Sequence, residues 1–137
     1  EISSCDWSSD VCSSDLYLTQ TVQKGDWKAE KHVPIIHLPE EVKAGEAFEV
    51  SVSVGDEIAH PNTVEHHIAW IKLFFQPEDS KFPIEVGSYQ FAAHGEAEVF
   101  SAPLIQAKMT VAAKGTFTAI SYCNLHGLWE SAAELVF

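Results

Sequence analysis

The amino-acid sequence predicts an all-β protein, an immunoglobulin-like antiparallel β-sandwich of about seven short strands. Three observations favour this class. Apolar and polar residues alternate in several short segments, glycine and proline separate these segments at short intervals, and no segment offers three helical turns with caps. A closed barrel is the competing architecture, and the sequence alone does not separate the two.

The predicted strands follow from this pattern in chain order. The first covers residues 46–54, where four apolar side chains share one face: Phe48, Val50, Val52 and Val54. Residues 68–75 are apolar on both faces, as expected of a central strand, and Pro77 ends that run. The remaining predicted strands are 84–91, 97–101, 104–112, 116–122 and a last one near 132–137.

Length and charge limit the classes of function. The 137 residues suit one domain, and 20 acidic against 8 basic side chains give a net charge of −12. Such a chain repels polyanions, so nucleic acid is not expected as a partner. No apolar run approaches the roughly 20 residues that span a bilayer, so no membrane insertion is expected. A small anionic substrate would have to be attracted locally, by a metal or a cation.

Residues 1–16 differ in composition from the rest, being rich in Ser and Asp and free of Lys and Arg. Residues 6–16 resemble the in-frame translation of a widely used sequencing-adapter oligonucleotide. We therefore predict that 1–16 is non-native and disordered and that 17–137 is the functional domain; a genuine disordered tail is the alternative. Cys5 and Cys12 match no common metal motif. Without 1–16 the chain has 16 acidic and 8 basic residues, a charge of −8, and Cys123 as its one thiol. A reducing cytoplasm is then expected.

The distribution of His and Cys predicts a metal site. Three imidazoles occur within residues 60–67, just before the predicted central strand, and Cys123 and His126 follow another strand. His32 lies in a third, polar segment. Each motif alone is weak, since only one of two neighbouring His in a strand would face a site and a buried Cys is often a small hydrophobe. Together they form a ligand set for a transition metal.

The number of candidate ligands bears on which metal is bound. Structural zinc is four-coordinate, so four His and one Cys include one ligand too many. Blue copper uses two His, one Cys and an axial Met, but Met109 lies in a predicted strand upstream of Cys123. Five N and S ligands that leave one octahedral position open fit a redox iron. His37 and His94 lack clustered partners and are interpreted as structural or surface residues.

Three blocks of the sequence resemble superoxide reductases of the one-iron neelaredoxin class, in the desulfoferrodoxin family. They are GDWKAEKHVPII (25–36), HPNTVEHHIAWIKLFF (60–75) and SYCNLHGLWES (121–131), and the resemblance extends over roughly 24–137. It implies one mononuclear iron held by five ligands: His32, His60, His66, Cys123 and His126. It also implies Glu30 as a sixth ligand of ferric iron, Lys31 beside the open position, and His67 outside the ligand set.

The implied activity is that of an oxidoreductase, the one-electron reduction of superoxide to hydrogen peroxide. The resemblance further implies rubredoxin or a similar protein as electron donor and a homo-oligomer, dimeric or tetrameric. The second iron centre of two-iron relatives is not expected, because its set of cysteines is missing. The alternatives are a cupredoxin-like electron-transfer protein, a superoxide dismutase that releases dioxygen, and a metal-free interaction module.

Overall fold

Seven antiparallel strands form two sheets in a computed structural model that describes residues 17–137. The strands are β1 (Pro34–His37), β2 (Phe48–Val54), β3 (Ile68–Pro77), β4 (Ile84–Gln90), β5 (Leu104–Met109), β6 (Gly115–Cys123) and β7 (Gly127–Leu135). One sheet has the order β1-β2-β5 and the other β4-β3-β6-β7. The predicted all-β sandwich is confirmed. The predicted non-native stretch 1–16, with Cys5 and Cys12, lies outside the described residues.

The core lies between the two sheets and follows the alternation in the sequence. Val50 and Val52 of β2 are fully buried and belong to the same apolar cluster as Ile71 and Leu73 of β3. Phe117 of β6, also fully buried, joins them. The predicted central strand is confirmed, since β3 pairs with β4 on one side and with β6 on the other.

Several strand predictions differ from the structure. The strand expected near 132–137 is β7, which begins at Gly127 and ends at Leu135, and the strand expected at 104–112 ends at Met109. The strand expected at 97–101 is wrong: Glu96–Glu98 form a 3₁₀ turn in which Ala97 and Glu98 have positive φ angles of 52° and 61°. Gly95, with φ 116°, begins this tight turn. The strand prediction rested on the apolar residues that follow the turn, Val99 and Phe100. β1 was not predicted, because four residues beginning with a proline carry too short a pattern. A four-residue helix, α1 (Leu18–Thr21), was not predicted either.

The topology brings three separated segments to one end of the sandwich. β3 begins where β6 ends, with Ile68 opposite Cys123. The backbone N–H of Asn124 donates to the carbonyl oxygen of His67 at 3.2 Å, which joins the loop before β3 to the turn after β6. The fully buried Ser121 hydroxyl donates to the carbonyl oxygen of His32 at 3.1 Å and so holds the segment before β1.

Candidate metal centre

Four imidazoles form a closed ring at this end of the sandwich. His32 lies in the turn before β1, His60 and His66 in the loop between β2 and β3, and His126 in the turn between β6 and β7. The centroids of neighbouring rings are 4.8 Å apart for His32–His60, 4.7 Å for His60–His66, 4.9 Å for His66–His126 and 4.9 Å for His126–His32. Neighbouring planes meet at 66° to 75°, so the rings face one common point.

The nitrogen atoms turned toward that point fit a metal ion. His32 Nε2 lies 3.2 Å from His126 Nδ1, and the donor atoms of His32, His66, Cys123 and His126 all lie within 4.8 Å of one another. His60 joins through its ring contacts with His32 and His66. Across the ring, the centroids of His32 and His66 are 6.3 Å apart. Half of that separation is the distance from the midpoint to either ring centroid. It accommodates a metal–nitrogen distance of about 2.0–2.1 Å plus the distance from that nitrogen to the centroid of its ring.

Two buried nitrogens in this ring have no partner. Within residues 17–137, Nε2 of His60 and Nε2 of His66 are the buried side-chain N or O atoms that make no hydrogen bond. An unsatisfied buried polar atom costs about 1–3 kcal/mol, so a protein keeps such atoms where a ligand satisfies them. Both atoms belong to the four-imidazole ring, which is the arrangement expected of metal ligands.

Cys123 closes the inner side of the ring. Its thiol is free and fully buried at the end of β6, with Sγ 3.6 Å from His126 Nδ1. The outer side is open, since His126 is exposed and a cleft beside it is lined by Glu30, Lys31 and Ile58. The cluster therefore has a thiol toward the core and an accessible side toward solvent.

Hydrogen bonds on the outer edges of the rings fix which nitrogen faces the centre. His60 Nδ1 donates to the carbonyl oxygen of Pro61 at 2.7 Å, which leaves Nε2 with its lone pair directed inward. His32 Nδ1 donates to Glu30 Oε1 at 2.6 Å and has the same effect on His32 Nε2. Such contacts orient metal-bound imidazoles in proteins and select one tautomer.

Burial and charge favour the neutral form, which binds metals, in two of the imidazoles, His60 and His66. Burial lowers the pKa of His60 to about 4, and the charges of His32, His66 and Lys31 add to that effect. The pKa of His66 is lowered by burial first and then by His126, His32 and Lys31. The charge on Lys31 thus acts on two imidazoles of the ring, from the open side.

Glu30 holds an imidazole in this structure and lies outside the group of donor atoms. Its Oε1 accepts hydrogen bonds from both Nδ1 and the backbone N–H of His32. Burial alone would raise the pKa of Glu30, but these bonds outweigh it and the net shift is downward. Glu30 is therefore a charged acceptor on the rim of the centre.

Two residues that sequence reasoning missed support the ring. Trp129 stacks on His32 with centroids 4.9 Å apart and planes at 13°, and its Nε1 donates to the carbonyl oxygen of His126 at 3.3 Å. Asn124 Oδ1 accepts from the backbone N–H of His67, and its Nδ2 donates to the carbonyl oxygen of Glu65. Both lie within a block that resembles the family, but only their neighbours, Cys123 and His126, carry a recognisable metal motif.

The remaining predicted candidates lie apart from the ring. His67 Nδ1 donates to the carbonyl oxygen of Thr63, and its ring stacks on His94 instead of joining the four imidazoles. His37 Nε2 bonds with Asp56 and Ser53. Met109 packs against the hydrophobic core from β5, where it pairs with Phe48 of β2. This position gives no support to a blue-copper arrangement.

Comparison with known proteins points in one direction. Residues 24–132 match the Desulfoferrodoxin family. A superoxide reductase of Thermococcus kodakarensis is 51% identical over 118 residues, which cover 86% of this chain and 98% of that protein. A neelaredoxin of Megalodesulfovibrio gigas is 48% identical over 117 residues, which cover 80% of this chain and 90% of that protein. The reduced superoxide reductase (neelaredoxin) of Archaeoglobus fulgidus superposes with a TM-score of 0.79 at 49% identity, over 85% of this chain and 99% of that chain.

Proposed function

This chain belongs to the desulfoferrodoxin family and is a superoxide reductase, and we propose that its centre is one iron ion held by the four imidazoles and the Cys123 thiolate. The observation that carries the proposal is the closed ring of His32, His60, His66 and His126 above a buried thiol. Five N and S ligands exceed a structural zinc site, and they leave one position for a substrate.

The two sides of the ring have different proposed roles: the buried side supplies electron density to the metal, and the open side admits the substrate. When bound, ferrous iron supplies the electron that, with two protons, converts superoxide to hydrogen peroxide. On the buried side, the Cys123 thiolate donates electron density to the metal, as thiolates do in haem enzymes, and so favours electron transfer. On the open side, exposed His126 and the adjacent cleft give a small anion access.

Lys31 and Glu30 are the proposed catalytic residues at the open side. Lys31 lines the cleft, so its ammonium group attracts the superoxide anion and keeps water at hand for proton delivery. Glu30 is proposed to become the sixth ligand of ferric iron after the product leaves. For that role it must release His32, to which it is hydrogen-bonded here, so we expect its segment to move with oxidation state. Glu30→Ala should leave superoxide reduction largely intact while changing the absorption spectrum of the ferric protein.

The electron donor, assembly and location are also proposals. We propose rubredoxin or a similar small redox protein as donor, a homodimer or homotetramer as the assembly, and the cytoplasm as the location. Among residues 17–137, Cys123 is the one cysteine, and it forms no disulfide. This supports the cytoplasmic proposal. In residues 17–137 no helix has the length and apolar character needed to cross a bilayer.

The domain proposal is that residues 17–137 form the iron-binding unit and 1–16 do not belong to the native protein. It is supported by the family match, which begins at residue 24. Resequencing the gene from source DNA tests it. Finding codons for residues 6–16 in the genomic sequence would contradict the proposal.

The experiment that tests the activity is a stoichiometry measurement on the purified, iron-loaded protein. We expect one iron per chain and, with a reductant present, one hydrogen peroxide per superoxide consumed and no dioxygen. Release of dioxygen would identify a dismutase instead. Met109→Leu is the matched control, because it removes the one methionine without touching the ring and should leave iron content and turnover unchanged. A metal analysis showing copper would contradict the proposal.

A further inference from the structure

His94 is a buried imidazole for which the proposed reaction has no use. It follows β4 and is 6% exposed. Its Nδ1 lies 2.7 Å from Oδ1 of Asn62, and its Nε2 lies 2.8 Å from the carbonyl oxygen of Phe91. Its ring stacks on His67 with centroids 3.6 Å apart and planes at 8°.

Both ring nitrogens of His94 face hydrogen-bond acceptors. The Phe91 partner is a carbonyl oxygen, which only accepts. The orientation of the Asn62 amide is set independently, because its Nδ2 donates to the carbonyl oxygen of Ser101 at 2.9 Å, which leaves Oδ1 toward His94. His94 thus lies between Asn62 on one side and the backbone just after β4 on the other.

Hydrogen bonds also hold the two stacked rings at their own ends. The carboxylate of Glu96 accepts a hydrogen bond from the backbone N–H of His94. His67 Nδ1 donates to the carbonyl oxygen of Thr63 at 2.8 Å.

His94 connects to the metal centre through the two residues that it contacts in the ligand loop. Asn62 lies two positions after His60, and His67 directly follows His66. We propose that His94 is a positioning residue that clamps Asn62 and His67 and thereby fixes the loop that presents His60 and His66. The inference rests on the proposed metal centre but not on the reaction with superoxide.

The positioning role is tested by iron release to a chelator well below the unfolding temperature. We expect His94→Gln, which removes the ring that stacks on His67, to lose iron about tenfold faster, the lower end of the usual effect of residues behind metal ligands. His37→Gln is the matched control: His37 is also hydrogen-bonded, to Asp56 and Ser53, but contacts neither Asn62 nor His67 through those bonds. It should release iron at the unmodified rate.

A double-mutant cycle separates positioning from a general loss of stability. If His94 acts through Asn62, Asn62→Ala should add little to the release rate of His94→Gln, because the two changes break one connection. Additive effects, or a lower unfolding temperature with an unchanged release rate, would overturn the inference. A protein that retains iron in this assay but does not reduce superoxide would contradict the proposed function alone.

Discussion

Burial lowers the pKa of His60 and of His66, and the ammonium group of Lys31, on the open side of the ring, adds to that effect. Because the chain has a net charge of −12, we propose that this local positive charge draws a small anion to the cleft. We expect Lys31→Ala to slow the second-order reaction with superoxide about tenfold or more at low ionic strength, measured by pulse radiolysis. Lys28→Ala is the control, because it removes a charge from the same segment, where Lys28 lies over Trp27. Equal rates for the two variants would refute the role of Lys31.

The depressed pKa of His60 makes the stability of the metal-free protein depend on pH. The folded value is about 4 against an ordinary value of 6.5, so between these values the unfolded chain binds a proton that the folded chain does not. The free energy of unfolding is therefore highest above pH 6.5 and decreases as the pH falls toward 4. Because His60 is only partly buried, we expect only about 1 kcal/mol from this group after solvent screening.

Urea unfolding of the metal-free protein at several pH values measures this contribution. His60→Gln is the comparison, since it keeps a polar side chain but has no group that titrates there. The variant should lose less stability than the unmodified chain between pH 6.5 and 4. Identical pH slopes for the two proteins would show that His60 is not held neutral by folding.

At the scale of the strands, the start of β6 requires glycine at position 115, because a side chain there would clash. A Cβ on Gly115 would lie 2.8 Å from the Phe75 ring and 2.9 Å from Cα of Pro77, against backbone that cannot move away. We expect Gly115→Ala to destabilise the protein by about 1–3 kcal/mol, the usual cost of overpacking. Gly87→Ala in β4 is the matched control, because its Cβ would make an ordinary contact of 3.8 Å with Ala107. Chemical denaturation measures both, and an equal effect of the two would contradict the predicted clash.

The strands that could be predicted from the sequence are those whose burial is set locally. β2 has one buried face and β3 is apolar at most of its positions, so their patterns are visible without knowing their neighbours. The strand prediction for 97–101 rested on the strand propensity of Val99 and Phe100, but both side chains are exposed, at 55% and 58%. Whether such residues are buried depends on tertiary structure, which a local pattern does not contain.

The residues of the candidate site also fall into those that a local sequence pattern reveals and those that it does not. Its proposed ligands lie in compact motifs next to strands, so Cys123 and His126 could be predicted together with the histidines of residues 60–67. The residues that hold the ligands come from distant parts of the chain: Ser121 bonds to His32 across 89 positions, and Asn124 to His67 across 57. Those contacts follow from the register of β6 against its neighbours, which the sequence does not state.

At the scale of the whole molecule, the proposed iron joins three segments that are far apart in sequence: the turn with His32, the loop with His60 and His66, and the end of β6 with Cys123 and His126. The unfolded chain does not preform this arrangement, so the free energy of binding is added to that of folding. At a free iron concentration about 1,000 times the Kd, the added stability is about 4 kcal/mol.

We therefore expect removal of the metal by a chelator to lower the unfolding temperature, measured by calorimetry with and without added ferrous iron under anaerobic conditions. The difference should shrink below pH 6, because imidazole and thiolate ligands must lose protons to bind the metal. Cys123→Ala is the comparison: it removes the buried sulfur ligand, so its unfolding temperature should respond less to iron. If the unmodified chain unfolded at the same temperature with and without metal, the ring of imidazoles would be a packing arrangement and the proposed centre would be wrong.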